Sequence, residues 1–301
     1  MALPGSPSLG ASEIFPEHFA DVHPLHLGFD ERDLVPVSHV PEVTDGKHAV
    51  SYTVTSPIDG NIPDDTPILV GTGHGATIQN YRGFADALAG LGHVVVVHES
   101  HKHPGESSLH PSHEVLAVRS LRKQTVAMDL RSRYGVDVFD QVGHSTDGAV
   151  SLAHAMMHPT VIRNTLLLDS VGLTGHTTPE MANGVLRLLG HEVLPALVRK
   201  PQSLPNVIGQ AALDPVWFGR TTLAVSRVDA RDTYEALLAS GAKIETLWGL
   251  RSSYFPEPLR DTHAHYIDGG HLAVHVDPVP VARMVHHILT EMNKSESAIA
   301  V

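Results

Sequence analysis

Val142-Gly143-His144-Ser145-Thr146-Asp147-Gly148 decides how the rest of the chain is read. Residues 136–142 before it read as a strand, and residues 147–158 after it, rich in Ala and Met, read as a helix. A serine at that boundary stands on a tight strand-to-helix turn. Its hydroxyl then lies at the C-terminal edge of a sheet, over a helix N-terminus that favours developing negative charge. Small residues are needed beside it because neighbouring backbones approach closely. The spacing G-x-S-x-G is met at Gly143 and Ser145 but broken at the last position, where Asp147 stands and Gly148 follows. Alone, the segment also reads as a plain helix start with serine near the cap.

Working outward, strands and helices alternate. Residues 48–55 alternate and are β-branched, as in a half-buried strand. Ile68 to Val70 and Val94 to Val97 read as short buried strands, separated by a helix over 78–91 that uses Tyr81, Phe84, Ala85 and Leu88. A long helix is expected at 113–134 and a strand at Thr165 to Leu168. The pattern then breaks: residues 172–228 hold helical pieces divided by Pro179, Pro195, Pro201, Pro205 and Pro215. Alternation resumes with a helix at 230–240, strands at 243–248 and near 264–267, and a helix at 278–293, with a frayed tail from Lys294. The expected class is α/β, a mostly parallel sheet with helices on both faces. Three parts follow: an irregular segment 1–46 with room for one strand, a core of 47–171 and 229–301, and a helical cap inserted at 172–228.

Composition narrows the function. The chain has 301 residues, 42% hydrophobic and 18% charged, which is ordinary for a folded globular protein. It has no cysteine, which removes disulfides, thiolate metal sites and cysteine nucleophiles together. The formal charge is −12, and no basic patch with interleaved aromatics occurs, so nucleic-acid binding is not expected. No apolar run approaches about 18 residues, so no membrane span is expected. Met1 to Gly10 lacks the basic start and apolar stretch of a signal peptide, leaving a cytoplasmic location as the default. Histidine is over-represented at 23 residues, so a lone histidine proves little.

The motifs together resemble the α/β-hydrolase superfamily from about residue 47 to 293. Gly71-Thr-Gly-His-Gly75 sits where that family has its His-Gly oxyanion loop, with Gly71 in place of His and Thr72 in place of Gly. The run His98 to Ser107 is similar to the family's loop after the next strand. Ile267-Asp268-Gly269-Gly270-His271-Leu272, followed by Asp277-Pro278 and a last helix, looks like the family's histidine loop. The resemblance implies an α/β-hydrolase fold with a helical cap and a serine nucleophile. A serine hydroxyl needs a base, and an imidazole needs a carboxylate to hold its tautomer. Ser145 and His271 fill two of these roles, His271 being preferred over His263, His265 and His275 because Gly-Gly precedes it and the final helix follows.

The acid departs from the family pattern. After the strand at 243–248, Ser252 stands where the carboxylate is usual. Some families of this fold place the acid one strand earlier, which makes Asp169 the choice; Asp229, Asp261 and Asp268 are poorer candidates. The resemblance puts the oxyanion donors at the N–H groups of Thr146 and Gly73. Asp147 is expected to turn away from the developing oxyanion toward the helix N-terminus, so that Asp147→Gly keeps or raises activity. His74, His144, Trp217 and Phe218 are candidate pocket residues. Leu186, Leu188, Leu189, Leu194 and Leu197 join Trp217 and Phe218 as candidates for an apolar lid. His98, His101 and His103 with Glu99 and Glu106 have the composition of a zinc loop. That run coincides with a structural loop of the family, and no metal or cofactor is expected.

These residues predict a serine hydrolase of a carboxylic ester, lactone or thioester, working through an acyl-enzyme on a small-molecule substrate. Two alternatives stay open. One is a degenerate member that binds a small ligand without turnover, and the other is a carbon–carbon bond hydrolase using the same serine. The oligomeric state is open, a dimer included.

Overall fold

The computed structural model describes residues 37–43, 50–58, 66–99, 112–173, 178–199, 227–254 and 263–299. The sheet has eight strands: β1 (Val37–Val43), β2 (Ser51–Pro57), β3 (Ile68–Gly71), β4 (Val95–His98), β5 (Phe139–His144), β6 (Ile162–Leu168), β7 (Lys243–Gly249) and β8 (Ala264–Ile267). Their spatial order is β1-β2-β4-β3-β5-β6-β7-β8. The first two strand pairings are antiparallel and every later one is parallel. β3 and β4 are buried throughout, as expected for apolar runs covered on both faces. β1 falls inside the segment read as irregular and pairs with β2 along its whole length, so the sheet begins before the boundary expected at residue 47.

Helix α1 (Ile78–Gly90) buries Tyr81, Phe84, Ala85 and Leu88, the stripe the spacing predicted. It packs against the long last helix, and together they cover one face of the sheet through Val281, Val285, Ile288 and Leu289. On the other face, α2 (Ser112–Tyr134) and α3 (Thr146–Met157) pack together, and α6 (Arg231–Ala239) packs against α3. Trp248, Leu152 and Leu167 anchor that side. Between β6 and α6 the chain leaves the sheet as α4 (Thr178–Leu188), a π-helical turn (Leu189–Val193) and α5 (Leu194–Arg199). Residues 200–226 of the expected cap lie outside the described residues.

A short α7 (Ala273–Val276) leads into α8 (Pro278–Ile299). α8 runs past Lys294, where a frayed tail was expected; its first turns are held to the core by buried apolar residues, and the helical backbone continues. Among the described residues no helix is long and apolar enough to cross a membrane. The consequence for function is positional. The C-terminal ends of β3, β5, β6 and β7 lie side by side, which is where parallel α/β sheets place their chemistry.

Candidate active site

Ser145 is the single residue between β5 and α3. Its backbone sits at φ 56° and ψ −119°, a region that costs a non-glycine residue roughly 1–3 kcal/mol. The surroundings over-determine this bend. The Ser145 N–H donates to the Leu168 carbonyl at 3.0 Å, and the Ser145 carbonyl accepts from the N–H groups of Val171 at 2.9 Å and Gly148 at 3.2 Å. Close approach explains the two glycines. A Cβ on Gly143 would come within 2.5 Å of Ser151 Oγ, and one on Gly148 would overlap the Ser170 side chain.

The bend brings three predicted residues together. Ser145 Oγ lies 3.2 Å from His271 Nε2, and His271 Nδ1 lies 3.4 Å from Asp169 Oδ2. Ser145, His271 and Asp169 are all buried. Among the described residues, Asp169 is the other non-glycine residue with positive φ, at 40°, directly after β6. Its N–H donates to the Leu247 carbonyl and its Oδ1 accepts from the Gly249 N–H, both at 2.9 Å. The carboxylate is thus fixed between the ends of β6 and β7 with one oxygen turned to the imidazole. The Tyr254 ring stacks on His271, with centroids 4.9 Å apart and planes 23° apart. Ser252 is buried nearby, and its hydroxyl has no hydrogen-bond partner among the described residues.

Asp147 does turn away from Ser145, but into a place the sequence did not suggest. Its Oδ2 accepts from Lys123 Nζ at 2.8 Å, and Lys123 also donates to Ser151 Oγ at 2.6 Å. Both charged side chains are fully buried. Burial pushes the Asp147 carboxyl up and the Lys123 amine down, and pairing opposes each shift. A Cβ on Gly71 would overlap the Asp147 carboxylate. Gly71 and Asp147, two separate departures from the family pattern in sequence, are therefore one feature in space: the missing side chain makes room for the added one. Asp147→Gly would strand Lys123 in the interior, a cost in stability separate from the expectation for its activity.

The oxyanion donors divide. Thr146 opens α3, so its N–H has no intrahelical acceptor and lies next to Ser145. Gly73 does not match its expectation: its N–H donates to the Tyr81 hydroxyl at 2.8 Å instead of standing open. A fully buried phenol needs hydrogen-bond partners, and this amide meets part of that need. The chain of bonds continues inward. Tyr81 Oη lies 2.6 Å from His144 Nδ1, and His144 Nε2 lies 3.0 Å from the His271 carbonyl oxygen. A carbonyl only accepts, so Nε2 carries the His144 proton and Nδ1 accepts from Tyr81. Burial holds the His144 pKa well below the usual range, with the neighbouring His271 and His275 adding to the effect, so its ring is neutral. His144 is thus a buried brace beneath His271, and it also lines a small cavity beside Asp169 and His271.

Of the other expected pocket residues, His74 is half-buried in the turn after β3. Trp217 and Phe218 lie outside the described residues, as do His101, His103 and Glu106. In the expected lid, Leu188 packs against the core, whereas Leu186, Leu189 and Leu194 are exposed. Four residues near the site were not read from the sequence as belonging to it: Tyr81, taken as helix packing, and Lys123, Glu192 and Tyr254. Lys123 did carry a signal, since it falls on the same helical stripe as the buried Val126, Ala127 and Leu130.

No protein-family model matches the sequence, and no curated protein matches it. Solved structures do. A candidate lipase of Acinetobacter baumannii AYE is similar with a TM-score of 0.62 at 13% identity, over 85% of this chain and 93% of that one. The 2-hydroxy-6-oxo-6-phenylhexa-2,4-dienoate hydrolase of Rhodococcus sp. strain RHA1 is similar with a TM-score of 0.56 at 17% identity, over 86% of this chain and 100% of that one. An esterase of Thermogutta terrifontis is similar with a TM-score of 0.56 at 14% identity, over 85% and 99%. Identities this low speak to architecture. Taken with the strand order and the bend at Ser145, they establish that the chain has the α/β-hydrolase fold.

Proposed function

We propose that the protein is a serine hydrolase that cleaves a carboxylic ester, lactone or thioester through an acyl-enzyme on Ser145. The observation that carries this reading is the buried series Ser145 Oγ, His271, Asp169, with separations of 3.2 and 3.4 Å, built on a strained turn at the sheet edge. His271 Nε2 takes the hydroxyl proton as Oγ attacks the carbonyl carbon. Asp169 faces Nδ1 and stabilises the imidazolium that forms. The Thr146 N–H receives the charge on the former carbonyl oxygen, a role worth roughly 3–4 kcal/mol of barrier in comparable sites. Collapse of the tetrahedral species returns the proton from Nε2 to the leaving group. Water then repeats the sequence on the acyl-enzyme.

The esterase and lipase neighbours fit this reading at the level of hydrolase chemistry. One observation favours a second reading, a fold member that binds a small ligand without turnover: the Gly73 amide is engaged by Tyr81. A fluorophosphonate probe separates the two. The hydrolase reading expects covalent labelling of Ser145 that His271→Ala abolishes. A wild-type protein that stays unlabelled across the pH range, and hydrolyses no activated ester, belongs to the second reading.

A further inference from the structure

We propose that Glu192, carried on the cap, is a positioning residue that clamps the His271 loop. Only the kinetic consequence of this clamp rests on the hydrolase reading. Glu192 lies in the π-helical turn between α4 and α5, where it and the buried Val193 face inward while Leu189 and, at the start of α5, Leu194 stay exposed. Such turns recur at functional sites. Its carboxylate reaches two loops that are distant in sequence. Oε1 accepts from the Ser253 N–H at 2.9 Å and the Ser253 hydroxyl at 2.7 Å, and Oε2 accepts from the Leu272 N–H at 2.8 Å.

Both contacts bear on His271. Ser253 immediately precedes Tyr254, whose ring stacks on the His271 imidazole. The Leu272 N–H belongs to the same peptide unit as the His271 carbonyl, which accepts from His144 Nε2 at 3.0 Å. That planar unit is therefore held at its oxygen by the core and at its nitrogen by the cap, which sets the direction in which the imidazole leaves the backbone. Gly270 admits the clamp, because a Cβ there would come within 2.5 Å of Glu192 Oε2. A carboxylate suits the task. It offers acceptors at both oxygens, whereas an amide would turn a donor toward either Leu272 or Ser253. A movement of the cap that withdraws Glu192 would release the histidine loop from one side.

The test is amide hydrogen exchange on the wild type and on Glu192→Gln at a temperature where both are fully folded, together with steady-state kinetics on a short activated ester. Exchange at Leu272 and Ser253 should rise about tenfold or more, the size expected when a hydrogen bond to a charged group is lost, with the amides of β5 unchanged. The turnover number should fall while KM stays level, because Glu192 acts through His271 and does not touch substrate. Ser253→Ala, which removes one of the three bonds, should give a smaller loss in the same direction. The clamp is overturned if exchange at the two loops does not change, if β5 exchanges faster in parallel, or if KM rises with turnover intact. A wild type that neither labels at Ser145 nor turns over ester defeats the hydrolase reading, and the exchange data still decide the clamp.

Discussion

The region under the Ser145 elbow and the region beside it each bury one aspartate, and the two are held in opposite ways. Under the elbow, Asp147 faces Lys123, with both side chains at 0% exposure. Beside it, Asp169 faces His271 and is braced by the Gly249 N–H. Lys123 and Asp147 meet each other and Ser151 between two packed helices, so the first pair is a structural joint. His271 reaches Ser145 Oγ as well as Asp169, so on the hydrolase reading the second pair follows the reaction. Burial alone does not tell the two carboxylates apart. The partner does.

The comparison breaks most sharply at Asp169. Asp169→Asn should lower turnover of an activated ester by about 10⁴, by analogy with loss of the acid in serine protease sites, with little change in stability. Ester kinetics beside a thermal unfolding curve measure both, and an active Asp169→Asn enzyme means that another group supplies the acid. Under the elbow the signs reverse. Asp147→Gly should lose about 3–5 kcal/mol of stability by leaving Lys123 unpaired, while the folded fraction still labels with a fluorophosphonate. Denaturant unfolding of the double variant Lys123→Met/Asp147→Gly should recover most of that loss. If it does not, the pair is not what Asp147 contributes.

Smaller effects sharpen the same contrast. Tyr81→Phe removes the hydroxyl that joins Gly73 to His144, and should cost about 1–3 kcal/mol in urea unfolding by leaving buried polar groups unpaired. Equal midpoints for variant and wild type would show that the relay contributes nothing. Ser252→Ala should leave unfolding unchanged or raise it by up to about 1 kcal/mol, because a buried hydroxyl without a partner is lost. Ester turnover should not move. A fall in turnover would place Ser252 in the mechanism, against the assignment to Asp169.

Much of this was legible in the chain. Periodicity located α1 and the buried strands, because a stripe or an apolar run records which faces are covered. The order of Ser145, Asp169 and His271 was readable because each follows a strand end, and strand ends of a parallel sheet converge. Legibility failed where a residue's meaning depended on something distant in sequence. The Gly73 amide looked open because no local pattern says that Tyr81 will reach it. Asp147 looked like a defect because its partner Lys123 lies on a different helix. Glu192 sat in a cap read only as apolar, and the π-helical turn that directs it inward leaves no trace in hydrophobic spacing. Room for one strand was read among the prolines of residues 1–46 but β1 was not placed, since an antiparallel edge strand is stabilised by its neighbour more than by its own composition.

Taken alone, the sequence determined the sheet-and-helix alternation and the serine at the strand-to-helix boundary, because both rest on local sterics and on the periodic burial of side chains. Tertiary structure decided which carboxylate faces the imidazole, which one is neutralised by a lysine, and which backbone amide is already occupied. Those outcomes turn on separations of about 3 Å between groups far apart in the chain, where pairing and desolvation outweigh anything a neighbouring residue can specify.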